Sequence, residues 1–170
     1  IAIRMKVIAL SGSVYNDANG NGIKEANEAM VNTDLENKKI YAYLTKPGNI
    51  IIGKAEVQPD GTYQLVNQSS VPYSVDNIGL GIIISSADHT LNSVINNSNI
   101  SGFTVITEPS SNLIDGGTSS RDGYVSILNS STNINNVDFG INHTPVVQPI
   151  HEMIDGIANT GDIVKIDNVE

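Results

Sequence analysis

The chain has 170 residues, 39% of them hydrophobic, with two Phe, no Trp, no Cys and a formal net charge of −9. Nine Lys and Arg against eighteen acids leave no basic face for a nucleic acid. The lack of Cys excludes disulfides and thiol chemistry, and no long unbroken apolar run is present to span a membrane. The length suits one domain with a sizeable core, or one domain plus a tail.

The first predicted element is a strand, Val7–Tyr15, β-branched and carrying two serines and a glycine. It leads into Asp17-Ala18-Asn19-Gly20-Asn21-Gly22-Ile23-Lys24-Glu25-Ala26-Asn27-Glu28. That stretch fits the twelve-residue calcium-loop pattern D-x-[DN]-x-[DN]-G-x5-E at every specified position. A hard cation of this size needs roughly six to eight oxygens at one point. Asp17, Asn19 and Asn21 offer side-chain oxygens at alternate positions, and Gly22 permits the sharp turn. Ile23 offers its backbone carbonyl, Glu25 a direct or water-bridged contact, and Glu28 a bidentate carboxylate. The competing reading is a polar Asn/Gly turn that binds nothing. Asp17 and Glu28 would also suit general acid–base work as a carboxylate pair, but as ligands of a cation both are held ionised. A short helix of about two turns is expected over 24–30. A sensor of the helix–loop–helix type needs a long amphipathic helix on each side. A strand before the loop and so short a helix after it suit a structural Ca2+ site, not a switch.

The remaining elements read as strands. Lys39–Leu44 turns through Pro47-Gly48-Asn49 into Ile50–Val57, and Asp60-Gly61 turns into Thr62–Val66. Tyr73–Val75, Gly79–Ser85, Phe103–Ile106, Tyr124–Leu128 and Val137–Asn142 follow. Asn makes up about one residue in eight, and with 15 Gly it marks frequent turns. With so few Phe and no Trp, the core must be Ile, Val, Leu and Tyr, and strand formers dominate that set. Tyr41, Tyr43 and Tyr63 are expected in the core or in cross-strand packing. Short strands at this spacing predict an all-β sandwich or barrel.

The tail 144–170 opens on Thr144-Pro145-Val146-Val147-Gln148-Pro149, an extended linker, and holds a short strand within Asp162–Asp167. It is too short for a core of its own, so it is expected to dock on its own sandwich or on a neighbour. An exposed β edge accepts a strand from another chain. The terminal segments are therefore candidates for joining neighbouring modules or identical subunits, against the alternative that both fold back on the same domain. Ile1 is not an initiator Met and no signal peptide is visible, so the chain reads as an excerpt or as one whose leader has been removed.

Three motifs together carry a family resemblance. Gly12-Ser13-Val14-Tyr15-Asn16-Asp17-Ala18-Asn19-Gly20-Asn21-Gly22, followed by Glu28, resembles the opening of the SdrD B-like repeat of the Cna B-type (transthyretin-like) group. Pro59-Asp60-Gly61-Thr62-Tyr63-Gln64-Leu65 is similar to that family's D-G-x-Y-x-F turn and strand, and Asn136-Val137-Asp138-Phe139-Gly140-Ile141 to its closing strand. The resemblance spans residues 7–143. It implies a domain over 1–143, a Greek-key β-sandwich of seven or eight strands, calcium in the first loop, and a spacer role on the bacterial cell surface. Extracellular modules tolerate weak sites, so one with two or three carboxylates suits that setting. Leu65 departs from the family's Phe, and the stretch between Tyr63 and Phe139 is longer than usual, so an extra hairpin or long loops are expected there. Some Cna B-type modules carry an internal isopeptide bond. Lys6 or Lys39 with Asp138, promoted by Glu56, would be the candidates, although the calcium-binding branch usually lacks it.

Little points to catalysis. His89, His143 and His151 lack the spacing of a metal motif, no G-x-S-x-G elbow is present, and Gly116-Gly117 precedes no helical pattern. Asp115 and Asp122 could frame a second cation site, or simply a polar hairpin loop. The expected function is therefore non-enzymatic: a calcium-stabilised structural module, spacer or filament subunit. The alternative is an adhesin-type ligand-binding sandwich using the loops Ser86–Ser101 and Ser110–Gly123. The low aromatic content gives carbohydrate stacking little support.

Overall fold

The computed structural model describes residues 9–28, 39–68, 79–109, 121–127 and 133–143, with the backbone of two short strands at 150–151 and 164–165. Its described residues are all-β and contain no helix. In chain order the strands are β1 (Leu10–Asn16), β2 (Tyr41–Lys46), β3 (Ile50–Glu56), β4 (Thr62–Leu65), β5 (Leu80–Ser85), β6 (Phe103–Thr107), β7 (Tyr124–Ile127), β8 (Phe139–His143), β9 (Ile150–His151) and β10 (Val164–Lys165). Eight of them form two four-stranded sheets, ordered β4-β1-β8-β6 and β3-β2-β5-β7. Among the described residues β9 and β10 pair with each other, antiparallel. The expected strand at Tyr73–Val75 and the rest of the tail lie outside the described residues.

The two sheets face each other across one core. Alternation along each strand decides which side chains enter it. In β4, Tyr63 and Leu65 are buried while Thr62 and Gln64 are exposed. Val14 and Phe139 reach the core from the first sheet, and Leu44, Ile82 and Val125 from the second. Ile, Val and Leu fill most of the space, as the composition requires.

β1 changes partner along its length. Leu10–Ser13 run antiparallel to β4, and Val14–Asn16 run parallel to β8. The segment before β8 crosses close behind β1: the Ser11 N–H donates to the Ile134 carbonyl (3.0 Å), and the Val137 N–H to that of Ser11 (3.1 Å). Gly12 permits this approach, since a Cβ there would lie 1.9 Å from the Val137 oxygen. The Tyr63 hydroxyl, fully buried, donates to that same oxygen at 2.6 Å. Burial pushes its ionisation well above the ordinary tyrosine value.

The second sheet is unusual in being covered on its outer side too. Tyr41, Tyr43, Ile51 and Ile83 point away from the main core and are roofed by the β5–β6 loop through Ile95. This explains why β5 is buried at every position. The same loop occupies the outer edge of β3, with the Ile51 N–H donating to Ser93 (2.9 Å) and the Asn92 N–H to Ile51 (2.9 Å). A covered edge cannot recruit a foreign strand.

The short helix expected over 24–30 is not formed at 24–28; residues 29 and 30 lie outside the described ones. A single turn stands there instead, its Glu28 N–H bonded to the Glu25 carbonyl (3.2 Å). The turn is tied by its side chains to the loop and to the first sheet. The Glu28 carboxylate takes the Glu25 N–H at 3.1 Å. The Lys24 ammonium is drawn away to the Ser13 hydroxyl (2.7 Å) and to Asp138 (3.3 Å).

Candidate metal centre

β1 delivers Asp17 to the end of the first sheet. Its N–H donates to the Ile141 carbonyl of β8 (3.0 Å), and its own carbonyl accepts from the Asn142 amide (3.0 Å). The Asp17 side chain is fully buried. One oxygen, Oδ2, accepts from the Gly22 N–H (3.0 Å) and from the Thr107 hydroxyl of β6 (2.9 Å). The other, Oδ1, is buried with no donor.

The loop then folds on its own side chains. Asn19 Oδ1 accepts from the Asn21 N–H (2.9 Å), and Asn21 Oδ1 from the Ile23 N–H (2.8 Å). These side chain–backbone turns are what Asn at alternate positions does well. Gly22 takes a φ of 78°, in the left-handed region, which lets its N–H point back at Asp17. Glu28 closes the loop. It is only 9% exposed, its Oε2 holds the Glu25 N–H, and its Oε1 is buried without a donor.

The two donorless carboxylate oxygens therefore belong to the first and last residues of the calcium-loop pattern. A buried ionised oxygen needs a donor or a cation. In each case the partner oxygen is already held by the loop backbone, so the free one is the one left for an ion. The set is all oxygen with no sulfur, which suits a hard cation. Asn16 Oδ1 is a third buried acceptor without a donor, immediately before Asp17. The residues present thus fit Ca2+. Both carboxylates also act on Tyr15. Burial pushes its hydroxyl up, and the charges of Asp17, Glu28 and Asp138 add to that, against a lowering by its hydrogen bond with Thr107.

Not every predicted ligand is arranged alike. Glu25 spends its carboxylate on the Asn19 and Asn21 amides, at 2.8 and 3.2 Å, and so steadies those two side chains. Ile23 has an exposed side chain, and its N–H is the group that the loop uses. Among the described residues no group of three or more His, Cys, Asp or Glu converges. Of the loop's three carboxylates, Asp17 and Glu28 leave an oxygen without a donor and Glu25 does not, and amide and carbonyl oxygens would have to complete the shell.

No protein-family model matches this sequence, and no curated protein matches it at a significant level. The likeness to the SdrD B-like module therefore rests on the three motifs alone.

Thr107, Asn142 and Asn16 are the site residues that sequence reasoning did not find. Thr107 and Asn142 lie 90 and 125 positions from Asp17, and no local pattern marks them. Asn16 stands next to Asp17 but outside the loop pattern. The other candidates are accounted for by local pairing. Lys39 pairs with Glu56 (3.0 Å), and Asp138 with Lys24 and the Ser13 hydroxyl, so Lys39, Glu56 and Asp138 are not assembled as an isopeptide triad. Lys6 lies outside the described residues, as does Asp115. Asp122 accepts from the Tyr124 N–H (2.9 Å), and the buried Glu108 carboxylate clasps the N–H groups of Arg121 and Gly123. His89 packs edge-on against Tyr43 at 5.5 Å.

Proposed function

We propose that the chain is a non-enzymatic, calcium-stabilised structural module of a bacterial extracellular surface protein, acting as a spacer or filament subunit. The finer type would be the Greek-key, transthyretin-like sandwich of the SdrD B-like repeats. The observation that carries this reading is the pair of buried, donorless oxygens Asp17 Oδ1 and Glu28 Oε1. When bound, calcium supplies the positive charge that these atoms lack. The residues to hold it are Asp17, Asn19, Asn21, Ile23 and Glu28, with Glu25 directly or by steadying the asparagines.

The chain's own residues supply the mechanics. Asp17 is tied to β8 by its backbone and to β6 by Thr107, while Lys24 pins the middle of the loop to Ser13 and Asp138. Fixing Asp17 to Glu28 therefore stiffens one end of the first sheet, where β1, β8 and β6 meet. Resistance to bending at a module's end is what a spacer needs. Among the described residues no helix is long and apolar enough to cross a membrane. The cell-surface setting comes from the three motifs, and joining to neighbouring modules through terminal strands is part of the same reading.

The test is calorimetric titration of EDTA-stripped protein with calcium. One ion per chain is expected, lost in Asp17→Ala/Glu28→Ala. Absence of binding, or binding that the double variant leaves intact, would falsify the reading. Cutting the chain after Asn142 tests the joining role, which fails if assembly is unchanged.

A further inference from the structure

We infer that the outer face of the second sheet carries a pocket for a neutral saccharide. A cavity of about 400 Å³ opens there, beside the loop that roofs the sheet. Its floor is Ile83 of β5 and Tyr124 of β7. Asn96, Asn97 and Ser98 of the roofing loop form one wall, and Asn49 and Asp122 complete the rim. The volume falls within the range of small-molecule sites.

The chemistry of the lining selects the ligand. Three amides can each donate and accept, and a carboxylate accepts, which matches hydroxyl groups that do both. A half-buried tyrosine ring offers an apolar face for the C–H side of a sugar ring. Among the described residues no Lys, Arg or His lines the pocket, and the chain carries a net charge of −9, so phosphates and acidic sugars are disfavoured. A purely apolar ligand would strand the polar rim unpaired.

The walls are held before any ligand arrives. Asn49 sits in the left-handed region (φ 54°) and its carbonyl accepts from the Ile95 N–H at 3.0 Å. The Ser98 hydroxyl donates to the Ile84 carbonyl at 2.6 Å, and Asp122 is fixed on the Tyr124 N–H. Asn96 and Asn97 are exposed, and their side chains make no hydrogen bond among the described residues. Their amides are thus available at the mouth of a cavity whose backbone is already held, and only these two side chains remain to be ordered by a ligand. None of the lining residues belongs to the Asp17–Glu28 loop, so occupancy here does not depend on the ion.

A hexose has about twelve heavy atoms, and at ordinary ligand efficiency it binds in the millimolar range. The experiment is an amide chemical-shift titration of the whole ¹⁵N-labelled chain. The probes are the methyl glycosides of glucose, galactose, mannose and N-acetylglucosamine, with glucuronate and glycerol as controls. At least one glycoside should give saturable shifts confined to Asn49, the 96–98 segment and Tyr124. Asn96→Ala/Asn97→Ala should abolish them at an unchanged melting temperature. The proposal is overturned if no glycoside gives a saturable shift, or if the shifts survive the double variant. It is equally overturned if glucuronate binds as tightly as the neutral sugars, or if glycerol reproduces the shifts, which would make them an adventitious polyol contact only.

Discussion

Replacing Glu28 by Gln should lower stability in calcium and raise it in EDTA. Gln keeps an acyl oxygen to accept the Glu25 N–H, now at 3.1 Å, and puts an NH₂ where the donorless Oε1 stands. An unpaired buried polar group costs about 1–3 kcal/mol, and more when charged. Without metal the substitution removes a charge from a side chain only 9% exposed, so a gain of about 1 kcal/mol is expected after allowing for the amide's own unmet donors. With metal the balance reverses. An ion that binds only the folded chain adds about 2.7 kcal/mol when present at about a hundredfold its dissociation constant. At roughly 2–4 °C per kcal/mol for a chain of this size, that is about 5–11 °C in melting temperature. Glu28→Gln should lose most of that increment. Scanning calorimetry of both proteins in calcium and in EDTA reads all four values, and the expected pattern is a crossing. Equal wild-type melting temperatures in the two buffers would refute the reasoning, as would a variant that keeps the full calcium increment.

Three other outcomes follow from the packing and the charges. Leu65, fully buried, stands where the resembling family has Phe; Leu65→Phe should overpack the core and cost about 1–3 kcal/mol by urea unfolding, and a gain would mean that the core has unfilled space there. Gly12→Ala puts a Cβ against the Val137 oxygen and should cost at least as much; a near-neutral result would mean that the segment before β8 can retreat from β1. Asp60 is held below its ordinary value by hydrogen bonds from the Thr62 side chain and backbone, and Asp88 by its hydrogen bond from Lys54. Because the folded values are depressed, the stability these groups lend is present above about pH 4 and drains as the pH falls through the folded values. A melting-temperature profile of Asp60→Asn/Asp88→Asn should therefore have a shallower acid limb than wild type, and an unchanged slope would count against these pairings.

What could be read from the sequence alone was whatever depends on near neighbours. The tight bend at Gly22 and the twelve-residue spacing from Asp17 to Glu28 close within one short stretch, so they were legible, whereas the Asn19 and Asn21 turns and the hold of Glu28 on the Glu25 N–H were not read from it. Tyr63, a strand former beside the Asp60-Gly61 turn, was expected in the core or in cross-strand packing, and it is buried. The apolar runs at Lys39–Leu44 and Gly79–Ser85 marked strands, but not what would cover their outer face. The helix expected over 24–30 is not formed at 24–28, where Lys24 is held by Ser13 and Asp138, a contact that exists only once β1 and the segment before β8 are side by side. Tertiary structure alone decided the rest. It brought Thr107 and Asn142 to Asp17 from distant parts of the chain, left one oxygen of each terminal loop carboxylate without a donor, and laid the 86–100 loop over the second sheet to shape the pocket at Tyr124. Those contacts depend on which strands become neighbours, and strand order is set by the packing of two whole sheets against one core, which no local spacing encodes.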